Sequence, residues 1–224
     1  MKTQKEYWDQ KIKEWTDVSY GKKTKSVDLI EKIANLFRGP IIKRMDVALK
    51  MVGLKAKGRV ILDLGCGLGD FCFAILRYQP KKVIGLDISK MAIREAKRRA
   101  EKRKLEGEVE FIENDVVKMR KLPKFDIAVG LGFIDYLNKE ELRRLFRLLS
   151  SHYFFFSIFE KKLSLLNLLH LVYSKIQKCP GAYKYTKEEI RQIIPKDFNF
   201  YFLEKDKMLF ITNLLRKEPG VLQL

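Results

Sequence analysis

From Val60 onward the chain alternates short hydrophobic runs with longer segments in which apolar residues recur at helical spacing. The short runs are rich in β-branched and aromatic residues and are bounded by charged or Gly/Pro-containing segments, which is typical of buried strands. Strands that alternate with helices form a parallel sheet. The pattern predicts an α/β fold with five parallel strands: Val60–Leu64, Val83–Asp87, Val109–Ile112, Phe125–Leu131 and Tyr153–Ile158.

Two segments between these strands predict amphipathic helices that cover the sheet. Met91–Lys104 places small and apolar residues at helical spacing against a Lys/Arg face, and Lys139–Leu149 repeats the arrangement. A third helix, Phe71–Leu76, follows the first strand after a glycine-rich turn. The helices are therefore expected to lie on the faces of a largely buried sheet.

The end of the chain predicts a different arrangement. Thr186 followed by Glu189 is the pattern of a capping box, which opens a helix over Lys187–Ile194, and Pro195 ends that helix. Two strand-like runs then follow, joined by a short polar segment, and predict an antiparallel hairpin: Asn199–Leu203 and Leu209–Leu214.

Two further segments lie outside the alternating core. Residues 1–50 contain three helical patterns, broken at Gly39-Pro40, and are expected to form a cap: Tyr7–Trp15, Val27–Phe37 and Ile41–Val52. Leu163–Ile176 is unusually apolar for a connection but too short and interrupted to cross a membrane. It predicts a helix inserted after the fifth strand.

The composition indicates one domain in a reducing compartment. A chain of 224 residues with 46% hydrophobic residues can close one α/β core with a modest elaboration. The sequence contains neither a membrane-spanning run nor the apolar core of a signal peptide near its N-terminus, so we expect a cytoplasmic location. Cys66, Cys72 and Cys179 are odd in number and lack metal-ligand spacing, which predicts neither a disulfide framework nor a metal site.

The charge of the chain allows two interpretations. A formal net charge of +18 suits a polyanionic partner, such as RNA, DNA or an anionic membrane surface. The Lys and Arg residues are, however, spread along the chain, often beside Glu, and their runs fall on predicted helix faces. We therefore favour general solvation of the surface over nucleic-acid binding.

The clearest chemical signal is the glycine-rich turn between the first strand and the helix that follows it. Glycines at positions 65, 67 and 69 can adopt positive φ values and carry no side chain, so backbone N–H groups can face a ligand there. Asp87, 18 residues beyond Gly69, ends the second strand, where a carboxylate suits a ribose diol. Strand, turn, helix and acid together predict a nucleoside-containing ligand.

Asp70 separates two kinds of nucleoside ligand. Dinucleotide-binding turns follow the pattern G-x-G-x-x-G/A, and this chain has Asp70 at the final small position. A carboxylate at the helix N-terminus would compete with a pyrophosphate for the same positive end. A nucleoside ligand without phosphate makes no such demand, which disfavours NAD and FAD.

The chain resembles class I S-adenosylmethionine-dependent methyltransferases over residues 57–137, in four successive segments: LDLGCGLGD, GLD, FIENDV and FDIAVGLGFIDYL. The resemblance implies a Rossmann-like, doubly wound, mostly parallel seven-stranded sheet with an antiparallel last strand. It implies a single domain over residues 1–224, with S-adenosylmethionine as cofactor and S-adenosylhomocysteine as product. The expected parts are a cap (1–50), a cofactor-binding core (57–160), an insertion or lid (161–182), and a final helix and hairpin (183–217).

The resemblance also assigns site residues. Those expected at the methionine moiety are Asp63, Gly65, Cys66, Gly67 and Gly69. The ribose hydroxyls are assigned to Asp87, and Ile88 is expected beside the adenine. Those expected at the adenine or elsewhere along the cofactor are Asn114, Asp115, Val116, Gly130 and Leu131. Alone, Asp87 or Asp115 could equally be the N-cap of a following helix, whereas their order at successive strand ends favours the site.

The methyl acceptor is less well defined by the sequence. Methyl transfer needs mainly proximity and alignment, so no catalytic residue is assigned; a base could come from Asp135, Tyr136, His152 or His170. The aromatic cap and the apolar insertion favour a small-molecule or lipid-like acceptor, with peripheral membrane contact open. The chain lacks both the Asn/Asp-Pro-Pro-aromatic motif after the fourth strand and a Pro-Cys nucleophile, which argues against amino-methylation and carbon-5 methylation of nucleic-acid bases. An RNA or protein methyltransferase, suggested by the charge, and a non-catalytic binding module are the alternatives.

Overall fold

A computed structural model describes residues 3–19, 43–150, 152–161, 180–205 and 208–214. Seven strands form one sheet in the order β3-β2-β1-β4-β5-β7-β6. The first five strands are parallel, and β7 pairs antiparallel with both β5 and β6, as the sequence predicts. The strands are β1 Val60–Leu64, β2 Lys82–Asp87, β3 Val109–Glu113, β4 Ile127–Leu131, β5 Tyr153–Ile158, β6 Tyr201–Lys205 and β7 Met208–Thr212.

Helices cover both faces of the sheet. They are α1 Gln4–Ser19, α2 over residues 43–56, α3 Asp70–Ile75, α4 Lys90–Arg103, α5 Lys139–Leu149 and α6 Lys187–Ile193. Short 3-10 helices follow α3, β3 and β4, at Leu76–Tyr78, Val116–Lys118 and Ile134–Tyr136. Within the described residues, no helix is both long and apolar enough to span a bilayer.

Polar side chains explain where three of the helices begin. Ser89 precedes α4 and accepts a hydrogen bond from the backbone N–H of Ala92. Reciprocal capping boxes open the other two helices, Asn138 with Glu141 at α5 and Thr186 with Glu189 at α6. Each cap satisfies N–H groups that have no partner within the helix. The capping box that the sequence predicted at Thr186 is confirmed.

Alternation along the strands divides the core into two layers. Successive side chains of a strand point to opposite faces of the sheet. Ile61 packs with the layer beneath α2, α3 and α4, whereas Leu62 and Leu64 pack with the layer beneath α5 and α6. β5 follows the same rule with three consecutive buried rings, Phe155 on the first face and Phe154 and Phe156 on the second. Burial on both faces explains the nearly continuous apolar runs.

The strand order places a crevice at the carboxyl edge of the sheet. β1 leads outward to β2 and β3, whereas β4 and β5 lie on its other side, so the connections diverge between β1 and β4. Ligands bind α/β sheets in the crevice at such a switch point. We call the two flanks of this crevice the β2–β3 side and the β4–β5 side.

Several predicted boundaries shift by one or two residues. β4 begins at Ile127 rather than Phe125, because the Asp126 carboxylate turns to accept the Val60 N–H at 2.7 Å. β7 ends at Thr212 rather than Leu214, because the side-chain oxygen of Asn213 accepts the Phe154 N–H at 2.7 Å in place of a backbone carbonyl. The helices predicted over Val27–Phe37 and Leu163–Ile176 lie outside the described residues.

Candidate functional site

The glycine loop after β1 turns sharply at three positive-φ residues. Gly65, Gly67 and Gly69 have φ angles of 71°, 54° and 79°. A side chain on Gly69 would clash with the buried Phe111, its Cβ lying 2.6 Å from that ring. A Cβ on Gly67 would meet no atom of the described residues within 4 Å. The loop is therefore closely packed at Gly69 and open at Gly67.

The backbone N–H groups of the loop mostly point into the protein, contrary to the expectation that they face a ligand. Gly65 and Cys66 donate to the Leu86 carbonyl at 2.8 and 3.0 Å. Gly67 donates to the Asp87 carboxylate at 2.8 Å. Sequence reasoning missed these bonds because they join β1 to the neighbouring β2. They brace the loop against the end of β2 and bring Gly67 and Asp87 into direct contact.

Asp87 is held in place through both of its carboxylate oxygens. Oδ2 accepts the Gly67 N–H and Oδ1 accepts the Ser89 N–H, each at 2.8 Å. Burial raises the pKa of Asp87, the two N–H donors oppose that rise, and Asp9 adds to it. Because Ser89 caps α4, Asp87 is not a helix N-cap. Each oxygen keeps a second lone pair, which fits a carboxylate oriented toward two hydroxyl groups.

Asp63 and two cysteines form a buried group beneath the loop. The Cys72 thiol donates to Asp63 Oδ2 at 3.2 Å. Burial raises the pKa of Asp63 to about 7 and that of the Cys66 thiol to about 11. A cysteine whose pKa is raised remains a thiol, which is a poor nucleophile. Cys66 thus fills space beside Gly85, whose absent Cβ would lie 2.8 Å from the sulfur.

The residues predicted at the adenine gather where β2 and β3 end. The Asn114 N–H donates to the Asp87 carbonyl at 2.9 Å, so the two strand ends lie together. Asp115 caps the 3-10 helix by accepting the Val117 N–H at 3.2 Å, and it pairs with Lys118. The capping interpretation thus holds for Asp115. Val116 is buried, and Ile88 is half-buried.

Helix α1 lies across these strand ends. Lys5 Nζ donates to the Ile88 carbonyl at 3.0 Å and pairs with Glu113 at 2.6 Å. Asp9 accepts from Ser89 Oγ at 2.6 Å and from the Met91 N–H at 3.1 Å. The sequence predicted a helix here but did not single out Lys5 or Asp9. Lys5 and Asp9 lie about one helical turn apart, and charged residues at this spacing are common on any exposed helix. The sequence pattern therefore does not distinguish them.

The first turn of α3 already carries a compensated charge. Asp70 Oδ1 lies 2.7 Å from Arg99 Nη2, and Arg99 Nη1 donates to the Leu68 carbonyl at 2.7 Å. A pyrophosphate at this helix end would meet the Asp70 carboxylate. Asp70 therefore occupies the end of α3 that a pyrophosphate would need.

The β4–β5 side presents different residues. Gly130 is buried against Phe156, and Leu131 is half-buried at the end of β4. Phe133 lies against the glycine loop, since a Cβ on Gly65 would be 2.9 Å from its ring. Gly130 and Leu131 thus lie across the crevice from the β2 and β3 ends.

Of the four candidate bases, two lie on this side. Asp135 is buried, its Oδ1 accepts the Phe159 N–H at 2.9 Å, and burial raises its pKa to about 6. Tyr136 follows it and contacts Trp8 of α1 edge-on, with ring centroids 5.1 Å apart. His152 was wrongly expected near the pocket: it precedes β5, at the amino edge of the sheet, with Nδ1 2.8 Å from the Leu149 carbonyl oxygen. His170 lies outside the described residues.

Comparison with known proteins gives one family and several partial relatives. A family model described as a methyltransferase domain matches residues 55–194. The chain is 44% identical over 82 residues to the release factor glutamine methyltransferase of Borreliella burgdorferi, covering 37% of this chain and 28% of that protein. It is 36% identical over 63 residues to the sterol 24-C-methyltransferase of Saccharomyces cerevisiae, covering 28% and 16%. The matches thus span less than a third of these curated relatives.

Solved structures share the fold over most of the chain. The magnesium protoporphyrin IX methyltransferase of Synechocystis with bound S-adenosylhomocysteine superposes with a TM-score of 0.64 at 21% identity, covering 93% of this chain and 97% of that chain. The cyclopropane synthase of Mycobacterium tuberculosis superposes with a TM-score of 0.57 at 18% identity, covering 73% and 61%. At such identities the similarity concerns the fold.

Proposed function

Because this chain belongs to the methyltransferase domain family, whose model matches residues 55–194, we propose that it transfers the methyl group of S-adenosylmethionine to a small-molecule or lipid-like acceptor. One observation carries the proposal: the Asp87 carboxylate is fixed by the Gly67 and Ser89 N–H groups beside the open face of the glycine loop. This arrangement suits a ribose diol, and the Asp70 carboxylate disfavours a pyrophosphate.

The described residues supply positions for each part of the cofactor. In this proposal, Asp87 holds the ribose hydroxyls and Asp115 with the Val116 N–H holds the adenine, while Ile88 packs beside it. Asp63 and the loop hold the methionine moiety, and Gly130 and Leu131 lie at its far side. Helix α1, attached through Lys5 and Asp9, covers the adenosine and excludes water.

The chemistry needs little from the protein beyond alignment. When bound, the cofactor supplies an electrophilic methyl group on a positively charged sulfur. The chain orients donor and acceptor in line, which is worth most of the rate enhancement in such a reaction. Asp135 lies on the β4–β5 side with a pKa of about 6, so its carboxylate is ionised at neutral pH and can accept a proton from an acceptor hydroxyl or amine.

The acceptor class follows from the part of the crevice that the cofactor leaves open. In the proposal this is the β4–β5 side, bordered by Phe133 and Tyr136 with Trp8 from the cap. Aromatic walls suit a small organic acceptor. The names of the protoporphyrin and sterol methyltransferases refer to small molecules, which agrees with this class.

The cytoplasmic location and the single-domain organisation remain predictions.

The RNA alternative is weakened by where the α4 cations lie. Arg98 pairs with Glu95 at 2.6 Å, and Arg99 pairs with Asp70 and stacks over Phe73. Arg103 also lies over the Phe73 ring, 4.6 Å from its centroid. Arg99 and Arg103 thus connect α4 to α3, whereas Arg98 pairs within α4, so these three cations already interact within the protein.

Calorimetric titration with S-adenosylmethionine, S-adenosylhomocysteine and NAD tests the cofactor. We expect micromolar binding of both adenosyl ligands and none of NAD; binding of NAD alone, or of no ligand, contradicts the proposal. Incubation with methyl-labelled S-adenosylmethionine and fractionated cell extract then tests the acceptor. Label in small molecules or lipids supports the proposed class, whereas label confined to RNA or protein contradicts it.

A further inference from the structure

The edge of the sheet opposite the crevice carries a group of side chains that the proposed function does not use. Helix α2 ends at this amino edge and leads into β1. Lys55 Nζ, from the last turn of α2, lies 5.2 Å from the centroid of the Tyr153 ring, and the central carbon of the Arg59 guanidinium lies 5.3 Å from it. A cation is attracted to the face of an aromatic ring. The ring of Tyr153 therefore holds two cations at one place on the surface.

Neither cation forms an ion pair with any residue that the structure describes. The Arg59 side chain also makes no hydrogen bond to these residues, and its Nη1 is buried without a partner, which costs free energy. Asp126 is the acid that lies next to them, and its carboxylate is engaged by the Val60 N–H at 2.7 Å. Two like charges at one ring repel each other unless an anion compensates them. The pair thus offers positive charge to an anion from outside the chain.

The neighbouring loops extend this positive charge along the amino edge. Backbone hydrogen bonds join them in sheet order, from Gly58 to Gln79 at 2.9 Å and from Asp126 to Val60 at 2.9 Å. Tyr153 continues the series by donating its N–H to the Asp126 carbonyl at 3.3 Å. The charged residues of these loops are five cations, Lys55, Lys57, Arg59, Lys81 and Lys124, and one acid, Asp126. This part of the edge is therefore strongly basic.

An exposed leucine lies within this basic surface. Leu54, in the last turn of α2, is 73% exposed, and Tyr153 is 37% exposed. Lys50 is exposed one turn earlier on the same helix face, and the exposed Lys57 follows three residues after Leu54. An apolar side chain surrounded by cations, beside an amphipathic tyrosine, is typical of a surface that enters the boundary between lipid headgroups and hydrocarbon.

The same residues fit two other phosphate-bearing partners less well. RNA bases stack on aromatic rings, which requires an open ring face, whereas two cations already lie over the Tyr153 ring. A free phosphate ion would use the cations but would leave Leu54 in water. Anionic phospholipids satisfy both features, because their headgroups pair with Lys and Arg and their acyl chains accept an apolar side chain. The exposed leucine thus favours a membrane surface.

We propose that the amino-edge patch, formed by Leu54, Lys55, Lys57, Arg59 and Tyr153, binds the protein to membrane surfaces that contain anionic phospholipids. The three cations bind headgroup phosphates, Leu54 enters the interface, and the Tyr153 ring holds two of the cations in position. The crevice lies at the opposite edge of the sheet, so the bound membrane leaves it open to the solution. This inference does not depend on the proposed function, and its test needs no cofactor.

Sedimentation with lipid vesicles tests the proposal. At low salt, the unmodified protein should bind vesicles of phosphatidylcholine with about one third phosphatidylglycerol at least about tenfold more strongly than vesicles of phosphatidylcholine alone. Lys55→Gln and Arg59→Gln should each weaken this binding about fivefold, because one cation at the membrane is lost. Leu54→Ser should weaken it by about the same factor, because the apolar contact is lost. Arg94→Gln, which removes an exposed cation from α4, should bind like the unmodified protein.

Four outcomes would contradict the proposal. The first is equal binding to the two kinds of vesicle, or binding to neither. The second is equal loss in Arg94→Gln and Lys55→Gln, which would mean that only the net charge matters. Release from the vesicles by inorganic phosphate, beyond that by sodium chloride at the same ionic strength, would assign the cations to free phosphate. Binding of polyuridylate that Lys55→Gln abolishes would assign them to RNA. Thermal unfolding checks that each variant folds; should Arg59→Gln not fold, Lys55→Gln decides.

Discussion

The two sides of the crevice differ in how their charged groups are satisfied. On the β2–β3 side, Asp87 accepts two backbone N–H groups, Asp115 caps a 3-10 helix, and α1 is attached through Lys5 and Asp9. On the β4–β5 side, Arg44 has a buried nitrogen that no described residue satisfies, next to the buried Asp135. The charged groups of the β2–β3 side thus have partners among the described residues, whereas the Arg44 nitrogen on the β4–β5 side has none among them.

This difference indicates different tasks. A site for one constant cofactor can be built from backbone contacts that position its acids in advance, which reduces the cost of ordering on binding. On the β4–β5 side, a buried nitrogen of Arg44 is left for a bound group to satisfy. The β2–β3 side accordingly suits the adenosine, and the β4–β5 side suits the acceptor. Four experiments can break or sharpen this comparison.

The largest expected effect is on cofactor affinity. Asp87→Ala should weaken S-adenosylhomocysteine binding about 100-fold, because charged hydrogen bonds to the ribose are lost and the Gly67 N–H loses its acceptor. Calorimetry measures the change. Glu110→Ala on β3 is the control, because it removes a carboxylate of the same sheet that pairs with Lys82 and has no proposed contact with the cofactor. Equal affinity in Asp87→Ala and the unmodified protein would remove the adenosine from the β2–β3 side.

Alanine substitutions in the glycine loop compare how rigidly the two sides are packed. Gly69→Ala should lower the free energy of unfolding by about 3 kcal/mol, since positive φ strain adds to a clash with the buried Phe111. Gly65→Ala should cost about 1–2 kcal/mol, because Phe133 on the other side is half-buried and can move. Urea unfolding of both variants tests the order; a larger loss in Gly65→Ala would contradict it.

The pH dependence of stability reports on the buried acids. Burial raises the pKa of Asp63 from 3.8 to about 7, so the folded protein binds this proton more tightly than the unfolded chain. The stability from this group is present at low pH and is lost as pH rises from about 4 through 7. Asp63→Asn should remove about 2 kcal/mol of the loss between pH 5 and 8.

Asp135 provides the counterpart on the β4–β5 side. Because its pKa is raised to about 6, Asp135→Asn should remove a smaller loss that is complete nearer pH 6 to 7. Thermal unfolding of the unmodified protein and both variants between pH 4 and 8 separates the two contributions. Parallel curves for all three proteins would mean that folding raises the pKa of neither acid, contrary to this prediction.

The smallest expected effect concerns the cap. Asp9→Ala removes an acceptor from Ser89 Oγ and the Met91 N–H, and it should lower stability by about 1 kcal/mol. S-adenosylhomocysteine affinity should fall about fivefold, because α1 covers the adenosine less often. Asp46→Ala, exposed on α2, is the matched control. Equal S-adenosylhomocysteine affinity in Asp9→Ala and the unmodified protein would contradict the proposal that α1 covers the adenosine.

The sequence predicted most of the fold and one side of the crevice. The strand runs, the capping box at Thr186 and the final hairpin depend on neighbours in the chain, and the model contains all of them. Asp87 could be singled out because it ends a strand that follows the glycine-rich turn, whereas Asp115 was assigned through the family resemblance. Their cofactor roles remain predictions, and the expectation that the glycine N–H groups face a ligand was wrong.

The other side of the crevice could not be predicted in the same way. Arg44, whose guanidinium lies against Gly132, is separated from that glycine by 88 positions along the chain, and in the sequence it is one basic residue among 46. The position of His152, by contrast, could have been derived from the sequence, because a residue that precedes a parallel strand lies at the amino edge of the sheet, away from the crevice. Only contacts between distant segments distinguish a cation that is paired from one that is not.

The sequence alone thus determined the order of elements, the two apolar faces of the strands and the acid that ends β2, because periodicity and turn chemistry are local. The tertiary structure decided which loop N–H groups were already bonded and which guanidinium nitrogen lacked a partner among the described residues. These properties depend on burial and on hydrogen bonds between distant segments, and both arise only when the sheet assembles.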